Sequence, residues 1–330
     1  MTHRERFIKA LKREPITGLV PHFELVFFLT MESIGKVHPS HRHYEQWDQM
    51  SRAEQRLQML DMARSYIEIA EKYNHSAIFV HPNPNPRKLW GKDDNPVVEI
   101  LRTIRELSGD QYFLMMHGDP TFSIPDGDHM MDFAAQMYEE PEALHKQAAK
   151  NLDNAKRLSD TLARHPGLLD GFALCADYCF NVNPFFTRDQ FAEFIQPYLK
   201  EIIDHYRSQG YFTIKHSDGN IMPILDMMVD CKPHALHSLD PQGGVDLAQV
   251  KRLVGEKVCL IGNVNCGLMQ TGTEEELVAD VRRSLRDGMP GYGYIFSTSN
   301  CVYTGLPLSR YELMNKVWRE EGVYGVKQVG

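Results

Sequence analysis

Eight short apolar runs alternate with long helical patterns along this 330-residue chain, and that alternation limits the possible folds more than any other feature. The runs span 19–25, 77–81, 112–117, 171–176, 212–216, 235–239, 258–262 and 294–297. Each is rich in β-branched, aromatic and aliphatic residues and only four to seven residues long, as strands buried on both faces are. Between and after them lie helical patterns with one charged face, at 51–73, 96–107, 141–164, 188–209, 221–230, 246–254, 273–287 and 309–321. A strand followed by a helix, repeated, produces a parallel sheet. Eight such units predict an α/β fold closed as a (β/α)8 TIM barrel, for which about 250 residues is typical and insertions extend the chain. No GxGxxG turn follows the first run and no Walker motif occurs, so the open nucleotide-binding sheets are disfavoured. No linker or short repeat divides the chain, so residues 1–330 are expected to form a single domain.

Local punctuation agrees with this reading. Thr187 with Gln190, and Thr273 with Glu276, have the spacing of capping boxes, in which side chain and backbone exchange hydrogen bonds across the first turn. Gly210 and Gly288 are expected to stand just past helix ends, where a left-handed residue is needed. Residues 1–6 are polar and lead into an amphipathic helix without a signal-peptide core, which predicts a cytoplasmic protein.

Acidic residues outnumber basic ones, 44 to 36, for a formal charge of -8. A nucleic-acid surface needs clustered Lys and Arg, so no nucleic-acid partner is expected; the acidic balance also argues against a pocket for a polyanion, although a local basic patch is compatible with it. No apolar stretch approaches the roughly 18 residues of a membrane span, so no membrane partner is expected either. The six cysteines form no CxxC pair. Cys175 and Cys259 sit in apolar runs and read as core, whereas Cys266 and Cys301 follow strands.

In a TIM barrel the chemistry comes from residues just past the strand ends. Those positions hold Glu24, His81 and Asn83, His117 and Asp119, Asp177 and Tyr178, His216, Asp218 and Asn220, His237 and Asp240, Asn263, Asn265 and Cys266, then Ser297, Ser299 and Cys301. An Asp or Asn after a strand more often caps the next helix than does chemistry. The set as a whole, however, is rich in metal ligands. In His216-Ser217-Asp218-Gly219-Asn220, positions i and i+2 of extended chain point to one side, so His216 and Asp218 can reach one metal or substrate. With Cys301 after the eighth strand they make a three-ligand set with an open position, as catalytic zinc requires; Glu24 or Cys266 is a possible fourth ligand.

Several stretches resemble the uroporphyrinogen decarboxylase superfamily, which includes cobalamin-dependent methyltransferases. They are Arg4-Glu5-Arg6-Phe7, the segment 191–200, His216-Ser217-Asp218-Gly219-Asn220-Ile221, Leu239-Asp240-Pro241 and Ile261-Gly262-Asn263-Val264. The resemblance implies the same barrel. The decarboxylase carries an arginine-rich segment after strand one that suits a polycarboxylate, because guanidinium forks pair with carboxylates. Here that segment is Phe27-Phe28-Leu29-Thr30-Met31-Glu32, apolar and acidic.

The methyltransferase branch carries a His-x-Cys zinc motif with a distant cysteine. His216 and Cys301 match it, and Asp218 stands in place of the first cysteine. The resemblance therefore implies a methyltransferase with zinc on His216, Asp218 and Cys301. It would act on a small methylated substrate such as an aryl methyl ether, with cobalamin carried by a separate corrinoid protein, since this chain lacks the Asp-x-His-x-x-Gly corrinoid signature. Asp177, Tyr178, Glu24 and His216 are the expected catalytic residues, and Phe28, His81, His117 and Asn263 the expected substrate contacts. A homodimer is compatible with the resemblance. The alternative is a metal-independent decarboxylase of another acid, using Asp177 and His216.

Overall fold

A computed structural model describes residues 1–42, 44, 46–81, 83 and 95–325. Nine strands occur among them: β1 (Gly18–Leu19), β2 (Ala77–Val80), β3 (Phe113–His117), β4 (Gly171–Leu174), β5 (Phe212–Ser217), β6 (Ala235–Ser238), β7 (Cys259–Ile261), β8 (Tyr294–Ile295) and β9 (Val323–Tyr324). Strands β2 to β8 pair in sequence order in one parallel sheet.

Residues 20–25 close the sheet. Phe23 N–H donates to Phe296 O at 3.1 Å and Phe296 N–H to Pro21 O at 2.9 Å on one side. On the other side, Ser76 N–H donates to His22 O at 2.6 Å. The first expected strand, 19–25, is thus the eighth stave of the barrel but not a ladder: it makes an isolated bridge, His22 to Phe296. Pro21 has no N–H to give, which limits pairing there. The strand proper, β1, lies outside the barrel and pairs antiparallel with β9.

Two cores result from the period-2 alternation of side chains. Phe23, Phe79, Phe113, Met115, Ile214 and Ile261 fill the barrel, and Phe7, Ala10 and Leu11 of the helix His3–Leu11 pack against them. The other strand face, with Ile78, Leu114, Phe172, Leu236 and Leu260, packs on the surrounding helices. The strands are therefore apolar on both sides, which is why they read as runs rather than alternations.

The capping boxes at Thr187 and Thr273 form as expected, and so do others at Thr2 and Ser51. The expected helix 188–209 instead has three parts: Arg188–Gln190, a wide π turn Phe191–Ile195, and Gln196–Ser208. Pro197 cannot donate the bond that would continue a regular helix across this joint. Gly210 takes the left-handed conformation expected of it, φ 85°. Gly288 does not: it is the last residue of Glu274–Gly288, and a Cβ there would come within 2.4 Å of the Tyr294 ring. Among the described residues no helix is long and apolar enough to cross a membrane.

Candidate active site

The turn after β4 is held by a buried cation. Lys215 Nζ, on β5, donates to Asp119 Oδ2 at 2.7 Å and to the carbonyls of Leu174 and Ala176 at 3.2 and 2.8 Å. It also lies 4.0 Å from the centre of the Tyr178 ring. Asp119 in turn accepts from Ala176 N–H at 2.9 Å and from the Thr121 hydroxyl at 2.6 Å. Burial works to raise the Asp119 pKa, but the Lys215 ammonium and these hydrogen bonds hold it below the ordinary carboxylate value. The turn is braced on both sides, and Asp177 is aimed from it toward the end of β5.

At that end His216 Nε2 lies 3.5 Å from Asp177 Oδ1 and 3.5 Å from Asp218 Oδ1. Asp218 N–H also donates to Asp177 Oδ1 at 2.9 Å. One ligand atom from each of Asp177, His216 and Asp218 falls within 4.8 Å of the others. Burial, with the neighbouring Asp177 and Asp240 carboxylates, raises the Asp218 pKa against the opposing pull of His216. Ser238 Oγ donates to Asp218 Oδ1 at 3.1 Å, and the Asn300 amide donates to Asp218 Oδ2. Gly219 follows with φ 74°, where an added Cβ would meet Phe180 O at 2.0 Å, so only glycine permits this turn.

The other face of His216 meets a second histidine. His216 Nδ1 is 2.7 Å from His237 Nδ1, its register partner on β6. His237 is fully buried, and that burial, with His216 beside it, drives its pKa well below the ordinary value. A neutral His237 accepting from His216 Nδ1–H leaves Nε2 as the His216 atom that faces the two carboxylates. A ligating histidine needs such a partner to fix its tautomer and ring orientation.

The strand-end residues separate into two groups. Asn220 accepts from Met222 N–H, Asp240 from Gln242 N–H, and Asn265 from Gly267 and Leu268 N–H, so all three cap the turns or helices that follow. Asn263 is fully buried; its amide donates to Leu239 O at 2.7 Å and its oxygen accepts from Arg283 at 3.0 Å. Those bonds fasten β7 to its neighbours. Asp177, His216 and Asp218 converge.

The group brought together has a different third member from the expected His216, Asp218 and Cys301. Cys301 sits one residue past Asn300, its N–H held by the Asn300 oxygen at 2.6 Å, while the Asn300 amide covers the Asp218 carboxylate. Burial pushes the Cys301 thiol up to about 11 and the Cys266 thiol up to about 12.

Tyr178 is fully buried with its hydroxyl 2.7 Å from Thr121 Oγ1, which makes it part of the brace. Glu24 is buried and accepts from Thr298 Oγ1 at 2.6 Å and Ser297 Oγ at 3.2 Å, yet burial still raises its pKa to about 8. His81 and His117 have ring centres 5.5 Å apart, and Phe28 stacks on His41 at 4.4 Å. Nothing local in the sequence marks Lys215, Ser238 or Asn300 as functional, or gives His237 a role beyond its place at a strand end. Only the pairing of β5 with β6 reveals that His216 and His237 touch.

The uroporphyrinogen decarboxylase family model matches residues 115–320. The chain is 25% identical over 251 residues to a uroporphyrinogen decarboxylase of Mannheimia succiniciproducens, covering 71% of this chain and 65% of that protein. It is 23% identical over 145 residues to a uroporphyrinogen decarboxylase of Chlorobium phaeovibrioides, covering 41% of this chain and 38% of that one. The matches thus span less than two thirds of the length of these relatives. Among solved structures, the chain is similar to a D-psicose 3-epimerase in the presence of D-fructose. That match has 11% identity and a TM-score of 0.40, and covers 77% of this chain and 89% of the other.

Proposed function

The chain belongs to the uroporphyrinogen decarboxylase family, and from that premise we propose that it is a zinc-dependent methyltransferase. In this reading it moves a methyl group from a small methylated compound, such as an aryl methyl ether, to the cobalt of a corrinoid on a separate protein. The observation that carries the proposal is the convergence of Asp177, His216 and Asp218 at the barrel mouth. One imidazole nitrogen and two carboxylate oxygens suit a catalytic zinc, which takes three protein ligands and keeps one position open. A donor set without thiolate favours Lewis acidity over thiolate activation. When bound, zinc would supply the electron withdrawal that makes an ether oxygen a better leaving group.

The chain's own residues have distinct tasks in this reading. His237 keeps the His216 lone pair on Nε2. Ser238 and Asn300 hold the two oxygens of Asp218. The Lys215–Asp119 pair and Tyr178 set the position of Asp177. The oxygen left when the methyl departs needs a proton, and Glu24, with its pKa near 8, holds one at neutral pH. His81, His117 and Phe28 offer flat rings and imidazole donors for an aromatic substrate. Phe27, in the segment where the decarboxylase carries arginine, is buried against Tyr73 and Tyr311, which supports a substrate other than a polycarboxylate. The cytoplasm and a homodimer belong to the same proposal.

The names of the curated relatives favour a second reading, a metal-independent decarboxylase using Asp177 and His216. Elemental analysis of protein purified without chelator separates the two. About one zinc per chain, absent from His216→Ala, followed by methylation of a cobalt(I) corrinoid from an aryl methyl ether, supports methyl transfer. A folded, metal-free chain that releases carbon dioxide from a carboxylic acid overturns it.

A further inference from the structure

At the opposite end of the barrel, where β5 begins, lies a cavity of about 790 Å³. Lys12, Arg13, Arg207, Lys232 and Lys257 line it, against two acids, Glu14 and Asp230. Among the described residues none of these five cations forms an ion pair with a carboxylate, whereas Arg4, Arg188 and Arg282 all do. In a chain with a formal charge of -8, this concentration of unpaired positive charge runs against the composition. Helix C-termini also point to this face, and each offsets about half a unit charge, so they take up only part of the excess.

Two further observations point to a ligand rather than to helix capping. Arg13 and Lys232 both have φ 59°, each just past the end of a helix. Glycine is the usual residue there because a Cβ strains the left-handed conformation. The chain accepts that strain twice, and both times it places a long cation on the same cavity. His234 lies among them: Thr213 N–H donates to its Nδ1 at 3.0 Å, and Arg207 Nη1 stands 3.0 Å from its Nε2. Arg207 also donates to Lys232 O at 3.2 Å, which holds its guanidinium at the cavity. Burial first, then Arg207, Arg13 and Lys12, lowers the His234 pKa to about 4.

We propose that this cavity at the N-terminal face of the barrel binds a small oligophosphate, with Lys12, Arg13, Arg207, Lys232 and Lys257 pairing its oxygens. The size lies within the roughly 300–1,000 Å³ of small-molecule sites. Guanidinium and ammonium groups together suit phosphate oxygens, by fork geometry and by point charge respectively. An anion here adds a function remote from the barrel mouth and independent of the reaction there.

Isothermal titration of the full chain with pyrophosphate tests the site. The expected result is one equivalent bound, with affinity falling as salt rises. Lys12→Glu and Lys257→Glu should each weaken binding about tenfold or more. Neither side chain has a hydrogen-bond partner among the described residues, so both variants are expected to melt like the wild type, which a thermal scan checks. Saturation with pyrophosphate should also move the His234 imidazole titration upward by NMR. Binding at a metal in the barrel mouth is separated by repeating the titration with His216→Ala, where binding should persist. No binding at millimolar pyrophosphate, or full binding by the Lys12→Glu, Lys257→Glu double variant, overturns the proposal.

Discussion

Nδ1 of His216 and Nδ1 of His237 stand 2.7 Å apart at paired positions of β5 and β6. Because His237 is held neutral by burial, the contact is a hydrogen bond from one ring to the other rather than a clash of two cations. It sets which nitrogen of His216 faces Asp177 and Asp218.

His237→Phe tests that role. The ring shape is kept and the acceptor is lost, so zinc affinity should fall by about 10–100-fold while the chain still folds. Competition against a chromogenic chelator measures it. Unchanged affinity would mean that His216 is oriented by packing alone.

The ligand set makes a second prediction. Asp177→Asn and Asp218→Asn should each lose bound metal on gel filtration, while Cys301→Ser should keep it, because Asp177 and not Cys301 shares the 4.8 Å group. Elemental analysis of the three variants decides. Loss in Cys301→Ser with retention in Asp177→Asn would restore the ligand set expected from the sequence.

Lys215 should matter chiefly for stability. Lys215→Met leaves the Asp119 carboxylate buried without its cation, for which a loss of about 3–5 kcal/mol is expected. Urea unfolding reads this directly. A loss below about 1 kcal/mol, the scale of an exposed pair, would show that Asp119 is well solvated.

Glu24 makes folding pH-dependent. Its folded pKa, about 8, lies above the ordinary 4.5. Between those values the unfolded chain releases a proton that the native chain keeps, so stability falls as pH rises through this window. The cost is absent below 4.5 and complete above about 8. Glu24→Gln keeps an acceptor for Thr298 and Ser297 and carries no charge, with His22 Nε2 3.8 Å from Glu24 Oε1 and itself held neutral by burial. The Glu24→Gln variant should therefore gain on the wild type in urea midpoint from pH 5 to pH 8. A constant difference across that range would place the native Glu24 pKa near its ordinary value.

Much of this molecule was legible along the chain. The apolar runs at 77–81, 112–117, 171–176, 212–216, 235–239, 258–262 and 294–297 each hold a strand, because burial on both faces leaves a continuous apolar signature. The boxes at Thr187 and Thr273 are equally local, since the cap and its partner are three residues apart. His216 and Asp218 could be paired for the same reason, being two residues apart at one strand end. What lay beyond that range was decided by the closed sheet. Residues 20–25 became a stave held by separate bonds on each side, with Pro21 unable to complete a ladder. Asp177 joined His216 because β4 lies beside β5 and the Lys215–Asp119 brace aims the turn between them. His237 reached His216 across 21 positions of sequence only through strand register. Periodicity and capping act within a few residues and so are written in order along the chain; a ligand set depends on which strands become neighbours, and that is settled only when the barrel closes.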